Sequence, residues 1–139
     1  MSQAFTLTLA SSDDPGLLAA AVEAFAEDQA LPMKSAFTLD LVLEEIVTNI
    51  INHGAGPGGA TVDITVQRDG DALKGTVRDN AAPFDPLTRP PVDVSASVEE
   101  REIGGLGIHL VREMTETLGY TYADGHNVLT FTIGLKELT

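Results

Sequence analysis

Glu44-Glu45-Ile46-Val47-Thr48-Asn49-Ile50-Ile51-Asn52-His53 is the stretch on which the reading of this chain turns. Leu39, Leu43, Ile46 and Ile50 recur at spacings of four, three and four, the core stripe of an amphipathic helix. At about 3.6 residues per turn, Glu45, Asn49 and Asn52 line up on a different face, so a carboxylate and two amides project together. If that face is buried, each polar group needs a partner. A carboxylate beside an amide oxygen suits a hard cation such as magnesium with its waters. The plainer alternative is a polar pair on a helix surface.

Outward from this helix, expected from about Lys34 to His53, the pattern is mixed. Phe5-Thr6-Leu7-Thr8-Leu9 alternates like a strand with one buried face. Ser11-Ser12-Asp13-Asp14-Pro15 offers a capped helix start, and Leu17, Leu18, Ala21, Val22 and Phe25 make that helix amphipathic up to Leu31-Pro32. Gly54 through Gly59 ends the second helix. Thr61 to Arg68 and Ala72 to Arg78 then alternate as an antiparallel pair joined at Asp69-Gly70. A third helix is expected from Gly107 to Leu118, with Gly119 as its stop, before a closing hairpin of Tyr120 to Ala123 and Val128 to Leu135 through Asp124-Gly125. The order implies an α+β fold, a two-layer sandwich whose mostly antiparallel sheet is covered on one face by three helices.

Composition narrows the function. The 139 residues and 43% hydrophobic content fit one domain, 1–139, with a real core. Eight Lys plus Arg against 21 Asp plus Glu give a formal net charge of −13, which repels nucleic acid and anionic membranes. The lack of cysteine excludes disulfides, thiolate nucleophiles and zinc-thiolate sites. Without a basic leader or an apolar run near about 18 residues, neither secretion nor membrane spanning is expected, and the cytoplasm is the default location. Loop composition dominates from Asn80 to Gly105, which holds four of the seven prolines.

Two segments outside the second helix carry further chemistry. Val77-Arg78-Asp79-Asn80-Ala81-Ala82-Pro83-Phe84-Asp85-Pro86 leaves a strand through an aspartate into small residues. Such an aspartate accepts a hydrogen bond from an exocyclic amine, and small neighbours let a flat base approach the backbone; taken alone it is a common turn-former. Arg101-Glu102-Ile103-Gly104-Gly105-Leu106-Gly107-Ile108-His109-Leu110-Val111-Arg112 removes side chains where backbone amides at a helix start can meet phosphate oxygens. It matches neither a Walker loop nor a dinucleotide GxGxxG pattern, and alone it reads equally as a hinge.

In order, these three segments resemble the GHKL ATPase and kinase superfamily with its Bergerat, or HATPase, fold. Glu45 through Asn49 is similar to the N box, Asp79 through Asp85 to the G1 box and Gly104 through Gly107 to the G2 box. Intervals of 30 residues from Asn49 to Asp79 and 26 from Asp79 to Gly105 are compact for the superfamily. Glu-x-x-x-Asn-x-x-x-His, Asp-x-x-x-x-Phe-Asp-Pro and Gly-Gly-Leu-Gly-Ile together most resemble the stand-alone serine/threonine kinases that act as bacterial anti-sigma factors, of the RsbW and SpoIIAB type.

The resemblance implies Glu45 as general base and Asn49 as the magnesium ligand, with Asn52 and His53 following on the same helix. Asp79 would recognise the adenine amino group beside Ala81 and Phe84. Gly104, Gly105, Leu106, Gly107 and Ile108 would form the phosphate-facing segment, Arg101 a charge partner in the lid, and Thr130 a late-strand support for the nucleotide. Implied cofactors are ATP and Mg2+. Implied partners are a STAS-domain anti-sigma-factor antagonist as substrate, a sigma factor or other sequestered regulator, and a second copy as homodimer. Ala81 and Pro83 depart from the superfamily's glycines. Alanine resists positive φ, so either ATP affinity is modest or the loop keeps a negative-φ geometry. The competing reading is a catalytically weak ATP-sensing module that sequesters a regulator other than a sigma factor. Glu44, about 100° round the helix from Glu45, is expected in solvent, and His109 and His126 read as surface residues.

Overall fold

The computed structural model describes residues 4–10, 16–51, 59–83, 85, 87 and 105–135, without the side chains of 105–108. Its elements run β1 (Ala4–Ala10), α1 (Gly16–Asp28), α2 (Met33–Asn49), β2 (Thr61–Asp69), β3 (Ala72–Asp79), α3 (Gly105–Met114), β4 (Thr117–Ala123) and β5 (His126–Gly134). The strands form one sheet in the order β1-β2-β3-β5-β4, and every neighbouring pair is antiparallel. The two-layer α+β architecture expected from the strand and helix patterns is present.

Period-two burial explains the sheet. Val62, Ile64 and Val66 of β2, Leu73 and Val77 of β3, and Leu129, Phe131 and Ile133 of β5 all face the helices and are buried. Against them pack Leu18, Val22 and Phe25 of α1, Leu39, Val42, Leu43 and Ile46 of α2, and Val111 of α3. Each such large side chain contributes about 1.5–3 kcal/mol on leaving water. Phe5 and Phe25 meet at 4.9 Å between ring centroids, tilted by 53°, which seats α1 on β1.

Both hairpins use left-handed residues at their turns. Gly70 has φ +61, while Asp124 and Gly125 have φ +53 and +76, the pair of positive angles a type I′ turn requires. The first turn falls at Gly70-Asp71, one residue later than the Asp69-Gly70 expected, because Asp69 still pairs with Ala72. The third helix also differs from expectation. It stops at Met114, and Leu118 and Gly119 belong to β4, where they pair with Phe131 and Thr130. Leu118 and Tyr120 continue a period-two inward pattern, so Gly119 is a strand residue on the outer face rather than a helix stop.

On the sheet's other face, Thr6, Thr65, Thr76 and Thr130 stand opposite one another across four strands, with Gly119 completing the row on the edge. Thr6, Thr65 and Thr130 are exposed, and among the described residues no helix covers this row. The predicted start of α1 at Ser11 to Pro15 and most of Gly54 to Gly59 lie outside the described residues.

Candidate functional site

Helix α2 carries the first part of the site. Pro32 precedes it with φ −54 and ψ 144, and its carbonyl accepts from the Ala36 amide at 3.0 Å. At the far end the helix loosens into a π-type turn at Ile50 and Ile51, a local widening that recurs at functional positions. Asn49 lies just before that turn and is only 5% exposed. Its Oδ1 is shut off from water and, among the described residues, accepts no hydrogen bond. A buried oxygen in this state costs about 1–3 kcal/mol, so Asn49 holds a donor atom of the hard type that a magnesium ion or a ligand proton satisfies. Glu45, one turn earlier, is half-buried on the same side.

The neighbouring carboxylates behave differently. Glu44 is half-buried rather than fully solvated, and its carboxyl is raised above the ordinary value by burial, then by the charge of Asp40 and a hydrogen bond to it, and finally by the charge of Glu45. Asp40 and Glu44 are a like-charged pair four residues apart, one turn along the helix from each other.

Strand β3 ends at Asp79, which is 3% exposed and carries the second part of the site. Its Oδ1 accepts from the Ala81 amide at 2.9 Å and from Asn127 Nδ2 at 2.9 Å. Both bonds fall on one oxygen, so among the described residues Oδ2 is left for another donor. Asn127 was not singled out by the sequence. It stands directly opposite Asp79 in the β3–β5 register, and its Nδ2 also reaches the carbonyls of Ala81 (3.3 Å) and Ala82 (2.9 Å). The Tyr120 hydroxyl donates to Asn127 Oδ1. Its sequence signal was its place on an inward stripe otherwise made of Leu129, Phe131, Ile133 and Leu135.

Further bonds hold the segment after Asp79. Asn80 Oδ1 accepts from the Thr61 amide at 2.8 Å, Asp85 Oδ1 from the Leu87 amide at 2.8 Å, and Arg112 of α3 donates to the Leu87 carbonyl. Outside glycine, only Ala30 and Asp124 have positive φ among the described residues, so Ala81 takes the negative-φ geometry that alanine accepts without strain. Gly105 and Gly107 lie in the first turn of α3, whose leading amides have no intrahelical partner and whose first turn carries no acidic side chain.

Of the expected site residues, Glu45 is half-buried, Asn49, Asp79 and Ala81 are buried, and the backbones of Gly105, Leu106, Gly107 and Ile108 open a helix. Thr130 is a correction. Side chains alternate along β5, so Thr130 points to the outer face, away from Asp79 and Asn127, and is exposed. Asn52, His53, Phe84, Arg101 and Gly104 lie outside the described residues, as do the side chains of Leu106 and Ile108. His109 is exposed 3.9 Å from Glu113, and His126 Nδ1 lies 3.1 Å from Arg78 Nη2. No group of three or more His, Cys, Asp or Glu side chains converges as a metal cage among the described residues.

A family profile described as the histidine kinase-like ATPase domain matches residues 10–133. The serine/threonine-protein kinase BtrW of Bordetella bronchiseptica is 32% identical over 97 residues, which cover 69% of this chain and 68% of that protein. The serine-protein kinase RsbW of Listeria monocytogenes is 32% identical over 98 residues, and the chain spans 61% of its length. Among solved structures, the RsbU and RsbW domains of Rv1364c from Mycobacterium tuberculosis superpose with a TM-score of 0.65 at 14% identity, over 97% of this chain and 33% of that one, a likeness of fold. With a profile match running almost end to end and a kinase relative aligned over two thirds of both chains, the protein belongs to the histidine kinase-like ATPase domain family, in its serine/threonine-protein kinase branch.

Proposed function

We propose that the chain, as a single ATPase domain over 1–139, is a magnesium- and ATP-dependent serine/threonine kinase that also sequesters a regulator. The observation that carries this reading is the buried, unpartnered Oδ1 of Asn49 one helical turn from Glu45. A carboxamide oxygen with no internal partner fits a magnesium ligand, and magnesium commonly takes only one or two protein oxygens and completes its shell with phosphates and water. When bound, the metal neutralises charge across the ATP phosphates.

The chain's own groups divide the remaining work. Glu45 accepts the proton of the attacking hydroxyl, Asp79 Oδ2 accepts from the adenine amine, and the leading amides of α3 at Gly105 and Gly107 meet phosphate oxygens. Arg101 is the candidate charge partner for the nucleotide. In a chain of net charge −13 these local donors and the metal offset the repulsion of ATP. The substrate is a Ser or Thr of a STAS-domain antagonist, the sequestered partner a sigma factor, and the working form a cytoplasmic homodimer. The names of the kinase relatives support the kinase part of this reading. That no helix among the described residues is long and apolar enough to cross a membrane is compatible with it.

The test is transfer itself. Incubated with the protein and Mg-ATP, a STAS-domain antagonist should gain phosphate on Ser or Thr, and Glu45→Ala should abolish the transfer. ATP binding without transfer to that partner would leave a nucleotide-sensing module instead. A Glu45→Ala protein as active as the wild type would move the base elsewhere.

A further inference from the structure

Asn127 gives one side-chain amide to three acceptors in the segment that follows β3. Its Nδ2 lies 2.9 Å from Asp79 Oδ1, 3.3 Å from the Ala81 carbonyl and 2.9 Å from the Ala82 carbonyl. The residue is 5% exposed, so these contacts are made out of water, where geometry and pairing matter most. An asparagine amide can be turned over, and here a turned amide would set its oxygen against a carboxylate and two carbonyls. Those three acceptors fix the orientation of the amide, and the Tyr120 hydroxyl, able to donate or accept, satisfies the remaining end by donating to Asn127 Oδ1. Tyr120 reaches Asn127 as the diagonal neighbour across the β4–β5 pair, in which it stands opposite Leu129.

We propose that Asn127, braced by Tyr120, is a positioning residue that selects the base. By saturating Asp79 Oδ1 together with the Ala81 amide, it leaves Oδ2 as the one carboxylate oxygen facing a ligand, and an acceptor-only group rewards a base bearing an exocyclic amine over one bearing a carbonyl at the same place. Asn127 touches no nucleotide in this scheme. It acts through Asp79 and through the two carbonyls that fix the Ala81–Ala82 backbone beside the base. The inference rests on the reading of Asp79 as the adenine acceptor.

The discriminating probe is inosine triphosphate, which differs from ATP by a 6-carbonyl in place of the amine and by a proton on N1. Calorimetric dissociation constants for both nucleotides, with magnesium, are compared in the wild type, Tyr120→Phe and Asn127→Leu. The wild type should prefer ATP by about tenfold or more, Tyr120→Phe should lose about threefold to tenfold of that preference, and Asn127→Leu should bring it close to unity. In each variant the change should come from weaker ATP binding, with inosine triphosphate binding nearly unchanged. Equal weakening of both nucleotides in both variants would mean a merely structural role and would overturn the inference alone. If Asn127→Leu fails to fold, the milder Tyr120→Phe variant decides the matter by the same ratio. A wild type that binds both nucleotides equally would instead overturn the base-reading role of Asp79, and this inference with it.

Discussion

Asn49 holds an amide oxygen away from water with no hydrogen-bond partner among the described residues, a cost that the proposed function assigns to a ligand. Asn49→Leu, near in shape and without the polar oxygen, should raise the unfolding free energy by about 1 kcal/mol in urea titrations and abolish magnesium-dependent ATP binding by calorimetry. A variant both less stable and still magnesium-responsive would show that the oxygen has a structural partner. The placement of Glu45 and Asn49 on one helix face and of Asp79 at a strand exit was legible in the sequence, from helical spacing and strand alternation. Asn127 was not, since an asparagine two residues after Gly125 reads as turn chemistry until the β3–β5 register sets it opposite Asp79. Thr130 failed for a related reason: position along a strand does not decide its face until register is known, and here it faces outward.

At the scale of elements, α2 has a titrating flank and β3 a steric constraint. Because the Glu44 carboxyl binds its proton more tightly in the folded chain than in the unfolded one, stability falls as pH rises from the ordinary carboxylate range through the raised value, and the loss is complete above it. Glu44→Gln should therefore be more stable than the wild type at pH 7, by about 0.2–0.5 kcal/mol from the Asp40 pair alone, and the gain should vanish below about pH 4. Thermal melts at a series of pH values measure it. In β3, a Cβ added at Gly75 would lie 2.1 Å from the Phe131 ring. Gly75→Ala should cost about 1–3 kcal/mol or more by denaturant unfolding, and Phe131→Leu in the same chain should recover part of that loss, making the two changes non-additive. Helix and strand identities came through from periodicity. The end of α3 did not, because a glycine after an apolar run signals a helix stop as readily as a strand, and Leu118 and Tyr120 decide for the strand only once β5 is beside them.

Over the whole molecule, charge and layering dominate. A net charge of −13 on 139 residues repels itself, and raising salt from about 0.01 M to 0.15 M shortens the screening length from about 30 Å to about 8 Å. The melting temperature without nucleotide should rise by about 4 °C across that range, and a flat or falling curve would mean that paired charges outweigh the repulsion. The two-layer fold was readable from the alternation of strands and helices, whereas the strand order β1-β2-β3-β5-β4 was not, because α3 separates β3 from β4 in sequence and nothing local says that β5 returns beside β3. That order also aligns Thr6, Thr65, Thr76 and Thr130 in a single transverse row. Threonine and valine share a branched outline and differ by one hydroxyl, so the backbone would tolerate drift from one to the other along the row almost silently. Each such exchange swaps a wetted hydroxyl for a methyl, and a few together would make an adhesive apolar strip; the row is where this chain can acquire stickiness without first losing its fold.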